Sequence, residues 1–370
     1  MRSRYGPDVI TVAELEADPH PTLARLRATE PVAWVPALDA WLVTRRDLAL
    51  AAMRDDETFT VDDPRFSTAQ VVGQSMLTRD GAEHARHRDP FARRFRLDAV
   101  RRRFGSLVVE ETDRLIDRFA DGRAELRREL AGPLAVALVA HLLGLRETKP
   151  VLGWYDAIVA SVSGVAAGEP VTPEGAAAFD ELRASVEPVL RVDGLSRDEA
   201  VSNAAVIMFG GIETTEGMIA NAVWHLLSNR DQLALVEADR ALLPNAIEES
   251  LRLEPAAAVI DRYATRETEL GGATIAAGDQ VTISIAGANR DPAVFPDPNR
   301  FDVRRENAKL HLAFAHGPHV CLGLHLARLE AQTAVARLLD RLPGLRLAEP
   351  TAPRGLVFRK PPALHVIWDA

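Results

Sequence analysis

The chain has 370 residues, of which 47% are hydrophobic, so it can bury a large core. Its net charge is −9, so nucleic acid is not an expected partner. Its single cysteine excludes internal disulfides and is typical of a reducing cytoplasm. Residues 1–21 carry charged side chains and no apolar run, so we expect neither a signal peptide nor a membrane anchor, and a soluble cytoplasmic protein.

Helical periodicity dominates the sequence in chain order, and strand-like segments are fewer. The predicted helices are 19–30, 46–53, 83–104, 107–119, 133–143, 151–190 with a break near 164–173, 196–229 and 322–342. The predicted strands are 32–35, 41–44, 263–269, 274–275 and 280–285, with a turn at Gly271-Gly272. We expect a long loop at 61–74 and a last hairpin formed by 356–358 and 363–368. The pattern predicts a mainly α fold with a minor β portion, in one domain over 1–370.

The only cysteine lies between two glycines, just before a predicted helix, in the stretch Phe314-Ala315-His316-Gly317-Pro318-His319-Val320-Cys321-Leu322-Gly323. A thiolate at a helix N-terminus is stabilised by the helix dipole and by unpaired N–H groups. A lone cysteine is more often a small buried apolar residue. Zinc is not expected, because His316, His319 and His325 do not complete a ligand set. The loop suits a sulfur that must reach a metal, and its glycines would let the backbone approach a flat partner.

The spacing Phe-x-x-Gly-x-His-x-Cys-x-Gly resembles the haem-binding loop of the cytochrome P450 family. It is formed by Phe314, Gly317, His319, Cys321 and Gly323. The resemblance implies the cytochrome P450 fold and haem b with Cys321 as the thiolate axial ligand. It also implies a bacterial monooxygenase that uses O2 to hydroxylate or epoxidise a small-to-medium organic substrate in secondary or catabolic metabolism.

Further motifs follow in the order expected for the family, and two features depart from its usual pattern. Ala315 stands where the family often has glycine. The interval from Leu145 to Gly210 is shorter than in a usual bacterial member, with the shortfall near 186–194, behind the segment that normally covers the substrate pocket. The second departure leaves the geometry of that cover and the size of the substrate open.

The predicted helix 196–229 contains the stretch Phe209-Gly210-Gly211-Ile212-Glu213-Thr214-Thr215. Each glycine inside a helix costs about 1 kcal/mol, so a kink or a helix end is one interpretation. The stretch also resembles the distal-helix motif of the family. That resemblance implies that Gly210 and Gly211 border a groove over the haem, and that Glu213 and Thr214 deliver protons to a bound oxygen species.

Glu249 and Arg252 lie three positions apart on a predicted helix, where a surface ion pair is the ordinary interpretation. They also resemble the Glu-x-x-Arg motif of the family, which an arginine from a later irregular segment completes. The stretch 295–302 resembles that segment, so Arg300 is predicted as the third member. This triad is expected to be structural and to fix the loop that presents Cys321.

Four cationic residues match the family's positions for holding the two haem propionates. They are His84, Arg88, Arg262 and His319. Taken singly, each could equally be a solvated surface residue. Substrate contacts are predicted only by position relative to the motifs, and all of them could equally be core residues: Val206, Phe209, Ala258, Val259 and Val357.

A cluster of arginines follows Arg88, formed by Arg93, Arg94, Arg96, Arg101 and Arg102. It could be a solvated face, or a docking face for an acidic electron carrier. The chain has no room for a fused flavin reductase, so the expected electron donor is a ferredoxin with its reductase.

Several rival functions keep the haem but change the chemistry. They are peroxide-driven oxygenation, oxidative coupling, nitration, and a non-catalytic haem platform or sensor. The pair Glu213 and Thr214 argues against the first two, and a sensor would be free to lose it. A helical protein without haem would leave the cationic residues and the cysteine loop unexplained.

Overall fold

The computed structural model describes residues 10–145, 147–166 and 168–369. The helices before residue 145 are α1 Val12–Ala17, α2 His20–Thr29, α3 Arg46–Arg54, α4 Ser67–Val72, α5 Gly81–Ala92, α6 Leu97–Ile116 and α7 Gly132–Leu143. The helices after residue 145 are α8 Lys149–Ala166, α9 Pro173–Val186, α10 Arg197–Ser228, α11 Arg230–Ala238, α12 Leu243–Leu253, α13 Ile285–Ala288 and α14 Leu324–Arg341. The predicted mainly α fold with a minor β portion is confirmed.

The strands form three small sheets. They are β1 Val32–Val35, β2 Ala40–Val43, β3 Phe59–Thr60, β4 Arg123–Glu125, β5 Val259–Ala264, β6 Thr268–Leu270, β7 Ala273–Ile275, β8 Gln280–Ser284, β9 Arg346–Leu347 and β10 His365–Ile367. The first sheet has the order β1-β2-β8-β5-β3, with β1 and β2 antiparallel and β2 parallel to β8. The hairpin β6-β7 turns at Gly271 and Gly272, whose φ angles of 59° and 87° favour glycine.

Four predicted segments differ from the structure. The strand predicted over 263–269 is divided, because β5 ends at Ala264 and β6 begins at Thr268. The predicted loop 61–74 contains the helix α4, which is too short for a clear periodic pattern. The predicted helix 83–104 is interrupted by a 3₁₀ turn at Arg93–Phe95, after which α6 continues to Ile116. The predicted last hairpin is wrong, because β10 pairs with β4 and β9, whereas Phe358 bridges to Ala257.

The long helix α10 joins two hydrophobic clusters. Its N-terminus has a capping box in which the Ser196 and Glu199 side chains satisfy each other's backbone N–H groups. Val206 and Ile212 pack in a cluster with residues of α7, α8 and α9, whereas Val223 and Leu226 pack with residues of α6, α7 and α14. Apolar residues on several sides of this helix are therefore buried, which fixes the stretch 209–215 between the two clusters.

The interval predicted to be short is compact. Since α9 ends at Val186 and α10 begins at Arg197, only residues 187–196 connect them. The connection is fastened to α5, because the Arg86 guanidinium donates to the Gly194 carbonyl oxygen at 3.1 Å and to Glu199 Oε1 at 2.6 Å. Among the described residues, no helix combines the length and apolarity that crossing a bilayer requires. The single domain over 1–370 stays a prediction.

Candidate functional site

Cys321 lies three residues before the first residue of α14. Its backbone N–H donates to the Phe314 carbonyl oxygen at 2.8 Å, which closes the loop. Burial raises the pKa of the Cys321 thiol above its ordinary value, while the backbone N–H of Gly323 and the Arg88 guanidinium oppose this change. The N–H groups at the start of α14 thus face the sulfur, as predicted for a thiolate that binds a metal.

The glycines of the two motifs have different neighbours. Gly210 and Gly323 border open space, since a Cβ added at either would meet no atom within 4 Å. A Cβ on Gly211 would lie 2.8 Å from Val139 Cγ2, and one on Gly317 would collide with the Met53 carbonyl oxygen. The prediction that all these glycines leave room for a flat partner is therefore corrected. Gly211 allows close packing of α10 on α7, and Gly317 allows close packing of the cysteine loop on α3.

Ala315 has a backbone conformation that explains the family's usual glycine. Its φ of 57° lies in the left-handed region, where an L side chain costs about 1 kcal/mol. The neighbouring Gly317 has a φ of 74°. Alanine therefore occupies this position at a small energetic cost.

The predicted distal motif lies within an unbroken helix, so the interpretation of 209–215 as a helix end is wrong. Thr214 Oγ1 donates to the Gly210 carbonyl oxygen at 2.5 Å, which holds the hydroxyl beside the open position at Gly210. Glu213 lies in an ion pair, with its Oε1 2.7 Å from Lys360 Nζ. The motif thus presents a hydroxyl to open space and an acid to a lysine that the sequence analysis did not identify.

The predicted propionate-binding residues converge beside the cysteine loop. The rings of His84 and His319 are 4.3 Å apart, and His319 Nε2 donates to Asp80 Oδ1 at 2.6 Å. Arg88 donates to the Val320 carbonyl oxygen at 2.5 Å, which joins α5 to the loop. Burial lowers the pKa of Arg262, a buried side chain that donates to the Asp261 carbonyl oxygen.

This group contains an ionised acid and, among the described residues, a buried ring nitrogen that has no hydrogen-bond partner. Burial would raise the pKa of Asp80, but hydrogen bonds from His319, Thr60 and Val61 lower it to about 2, so Asp80 is ionised. Within the described residues, buried His84 Nε2 has no hydrogen-bond partner, and burial together with His319 and Arg88 lowers its pKa to about 4. An unpaired buried ring nitrogen beside the Arg88 guanidinium fits an anionic partner, and each propionate of haem is such a partner.

The predicted structural triad is present, but its third member is a different arginine. Glu249 accepts two hydrogen bonds from Arg252, from Nε at 2.7 Å and from Nη2 at 2.8 Å. Its third partner is Arg305, whose Nε lies 2.9 Å from Glu249 Oε1. The prediction of Arg300 is wrong, since its side chain is exposed and only its carbonyl oxygen takes part, accepting from Arg252 and Arg305. The sequence does not distinguish Arg300, Arg304 and Arg305, and in the structure only the last of these three is buried.

The triad is connected to the cysteine loop through hydrogen bonds. Arg252 Nη1 donates to the Asn289 carbonyl oxygen at 3.1 Å, and Asn289 Oδ1 accepts from the Leu312 N–H at 2.6 Å. The adjacent Glu248 accepts from Arg328 of α14 at 2.6 Å and contacts His311. Both glutamates of α12 thus hold segments on either side of Cys321.

The structure separates the predicted substrate contacts. Phe209 contacts Phe358, with ring centroids 5.6 Å apart, and Val206 lies one turn earlier in the cluster of α7 to α9. Ala258 packs in the cluster of the N-terminal helices, so its assignment as a substrate contact is corrected. Val259 is buried beside it, and the Val357 side chain is exposed. The contact through Phe358 depends on a bridge between distant segments, which no local pattern indicated.

Comparisons with known proteins agree with this geometry. The family model described as Cytochrome P450 matches residues 182–343. Cytochrome P450 monooxygenase PikC of Streptomyces venezuelae is 38% identical over 365 residues, covering 90% of this chain and 86% of the relative. Mycinamicin IV hydroxylase/epoxidase of Micromonospora griseorubida is 34% identical over 378 residues, covering 93% of this chain and 94% of the relative. The crystal structure of CalO2 has a TM-score of 0.88 and 28% identity, covering 97% of this chain and 99% of that chain.

These similarities extend over nearly the whole chain, and the cysteine loop lies inside the region that the family model matches. The group of cations and the open space at Gly210 and Gly323 fit the cofactor that such proteins bind. The chain belongs to the cytochrome P450 family, and it is a monooxygenase that binds haem b through a cysteine thiolate.

Proposed function

We propose that this enzyme takes electrons from a ferredoxin and its reductase, and hydroxylates or epoxidises a small-to-medium organic molecule of secondary metabolism. The observation that carries the proposal is the Cys321 thiol, which faces the N–H groups at the start of α14 and lies near Arg88 and the unpaired ring nitrogen of His84. PikC is named a monooxygenase, and the relative from Micromonospora griseorubida is named a hydroxylase and epoxidase of mycinamicin IV. These names support the substrate class.

We assign the cofactor-binding residues by chemistry. Cys321 would hold the iron, and His84, Arg88, Arg262 and His319 would hold the propionates. When bound, haem supplies the site where O2 binds and is reduced. The chain contributes the thiolate, the counter-charges and the exclusion of bulk water from the space beside Gly210.

We assign proton delivery to Thr214 and Glu213. The Thr214 hydroxyl donates to the Gly210 carbonyl oxygen, so its oxygen lone pairs remain free to accept a hydrogen bond from a water in the open space. Glu213 occupies the helical position directly before Thr214, and its side chain is 11% exposed, so its carboxyl group can exchange protons with solvent and pass them towards Thr214. This arrangement favours monooxygenation over a binding or sensing role, which needs no proton donor.

The decisive test of the proposed function is a turnover assay with a surrogate ferredoxin, its reductase and NADPH. Substrates are first selected from a library of apolar metabolites by the spin-state change that they cause in the haem spectrum. An oxygenated product formed in proportion to NADPH would support the proposal. Spin-state ligands that never yield a product, although the haem is reduced, would contradict it.

Replacing Thr214 by alanine is expected to uncouple electron use from product formation. Without the hydroxyl, water beside Gly210 loses its fixed partner, so protons arrive unselectively and hydrogen peroxide is released. We expect the product per NADPH to fall roughly tenfold, which is less than the full contribution of general acid catalysis, because water can still deliver protons. The measurement is product and peroxide per NADPH, and Thr214→Ser is the control, because it keeps the hydroxyl. Equal coupling in the alanine variant and the natural enzyme would remove Thr214 from the relay.

The proposed donor-docking surface is defined as the exposed side chains of Arg93, Arg94 and Arg96. The 3₁₀ turn with the first two packs against α14, the helix that follows Cys321. Arg93 and Arg94 also line a surface depression of about 360 Å³. An acidic ferredoxin bound here would lie close to the sulfur side of the haem, which supports electron entry at this surface.

Changing Arg93, Arg94 and Arg96 together to glutamine is expected to slow reduction by an acidic ferredoxin. Loss of three charges weakens electrostatic steering, so the second-order rate at low salt should fall by about tenfold, and the difference should shrink at high salt. Stopped-flow reduction in carbon monoxide measures this rate. A variant with Arg118, Arg123 and Arg128 changed to glutamine has the same net charge and is the control. Equal rates in the two variants would place the docking surface elsewhere.

The cellular location and the number of domains stay predictions. A cytoplasmic location is supported by the single cysteine, which forms no disulfide within the chain. A single domain over 1–370 is supported by α10, whose residues belong to two of the hydrophobic clusters.

A further inference from the structure

The segment 354–360 lies along one face of α10. Phe358 contacts Phe209, and Lys360 Nζ pairs with Glu213. A Cβ on Gly217 would lie 3.7 Å from the Arg359 carbonyl oxygen, which also accepts from Asn221 Nδ2 at 2.9 Å. Positions 209, 213, 217 and 221 are four apart and share one helix face. The Glu213 side chain is therefore held on the face that meets the segment 354–360, and Thr214 belongs to the neighbouring face.

Lys360 belongs to a cluster of charges from four parts of the chain. Its Nζ lies 2.7 Å from Glu213 Oε1 and 3.2 Å from Glu216 Oε1, and each of the three side chains is 11 to 14% exposed. Arg127 Nε lies 2.6 Å from the same Glu216 oxygen. Asp156 of α8 faces the cluster at the surface, and its pKa is raised by burial and by Glu216, while Lys360 opposes this change. The mostly buried part of the cluster therefore pairs two acids, Glu213 and Glu216, with two cations, Lys360 and Arg127, and the surface acid lies beside it.

We propose that Lys360 is a positioning residue for Glu213, which it holds as a carboxylate between proton deliveries and recovers after each one. The inference rests on the proposed role of Glu213 in proton delivery. It adds a lysine from the C-terminal segment to that role, and it assigns Glu216 and Arg127 to the support of the lysine.

The sharing of Lys360 between two acids makes the release of Glu213 possible. A proton from solvent that binds Glu213 Oε1 cancels the negative charge, so the attraction to Nζ falls and the neutral carboxyl group is free to turn. Lys360 keeps Glu216 as its partner, so no buried cation is left unpaired. Without a second acid, release would leave an uncompensated ammonium group.

The recovery of Glu213 follows from charge. Successive helix positions are about 100° apart, so the carboxyl group must leave Lys360 to reach the side of Thr214. There its O–H bond breaks, and the proton passes to a water hydrogen-bonded to Thr214 Oγ1. The resulting carboxylate is attracted back to the Lys360 ammonium group, which then has only Glu216 as a direct partner, and Glu216 is shared with Arg127. Each cycle takes one proton from solvent and gives one to the site.

Lys360→Met tests the inference, because methionine keeps the length of the side chain and removes the charge. We expect the ratio of peroxide to product to rise several-fold, because the Glu213 carboxyl group loses the cation that holds it and recovers it. Lys360→Arg should restore this ratio. Arg354→Met is the matched control, because this arginine lies in the same segment and makes no ion pair within the described residues. If Lys360→Met does not fold, Lys360→Gln takes its place.

Glu213→Gln distinguishes the proposed proton relay through Glu213 from the inference about Lys360. If Glu213→Gln leaves coupling and the solvent isotope effect unchanged, the relay through Glu213 is wrong. If it impairs them and Lys360→Met does not, the inference about Lys360 is wrong and the relay stands. If Lys360→Met has the same effect with and without Glu213→Gln, the lysine acts elsewhere and the inference fails. Thermal unfolding of the ferric protein adds a readout without turnover, in which the melting temperatures of the two variants should be non-additive in the double variant.

Discussion

Replacing Cys321 by serine is expected to abolish the thiolate-type spectrum and the oxygenase activity. Serine has nearly the same shape, but its hydroxyl stays protonated at neutral pH and donates less electron density to iron than a thiolate does. The chain has one cysteine, so no other thiolate can take its place. The carbon monoxide difference spectrum of the reduced protein should lose its strongly red-shifted Soret band completely. Product formation with a surrogate ferredoxin should fall to the background.

A second substitution in the same loop is the control for this experiment. Ala315→Gly keeps the sulfur, and glycine adopts a φ of 57° more readily than alanine, so the red-shifted band should remain. If the serine variant keeps that band, the assignment of Cys321 as the ligand is wrong. If purified natural protein lacks haem altogether after supplementation, the assignment of the site fails with it.

Replacing Arg252 by alanine is expected to cause the largest loss of stability. Arg252 and Glu249 have fully buried side chains, with exposed fractions of 0%, and the substitution leaves the carboxylate without its bidentate partner. Removing one member of a buried ion pair costs about 3–5 kcal/mol. The backbone carbonyls of Asn289 and Pro298 lose the Arg252 donor as well, and that of Arg300 keeps only Arg305. Thermal unfolding should show this loss, and haem retention should fall because the cysteine loop loses its support.

The identity of the third triad member is tested by comparing two alanine variants. Arg305→Ala removes an ion pair with Glu249 and hydrogen bonds to the carbonyls of Pro296 and Asp297, so it should cost about 2–4 kcal/mol. Arg300→Ala changes an exposed side chain and should stay within about 0.5 kcal/mol. Greater destabilisation by Arg300→Ala than by Arg305→Ala would return the role to Arg300.

Local patterns predicted the parts of the fold that local interactions decide. The helix predicted over 196–229 matches α10, since Ser196 caps it and its apolar residues continue to the end. The strands near 32–35 and 41–44 pair around a short turn, as predicted. The cysteine loop could also be identified, because the residue types that hold a thiolate must occur at fixed spacing within one loop.

The features that the sequence analysis missed depend on contacts between segments that are distant in the sequence. Strand β10 was assigned to a local hairpin, whereas its partner β4 lies far earlier in the chain. Arg305 replaces Arg300 because only the three-dimensional course of the segment decides which arginine is turned inward. Lys360 was not found, since nothing near it in the sequence indicates that it meets Glu213. These features depend on long-range packing, which a single sequence does not display.

The two arginines of α5 have a thermodynamic consequence. Arg86 is bonded to the connection before α10 and to Glu199, whereas Arg88, half a turn further, is bonded to the Val320 carbonyl next to Cys321. Helix α5 therefore joins the connection 187–196 to the ligand loop. If a substrate that displaces this connection changes the affinity for the electron donor, linkage requires the donor to change the affinity for the substrate by the same factor. The two binding equilibria then form one thermodynamic cycle, and measuring either affinity with and without the other partner gives the coupling for both.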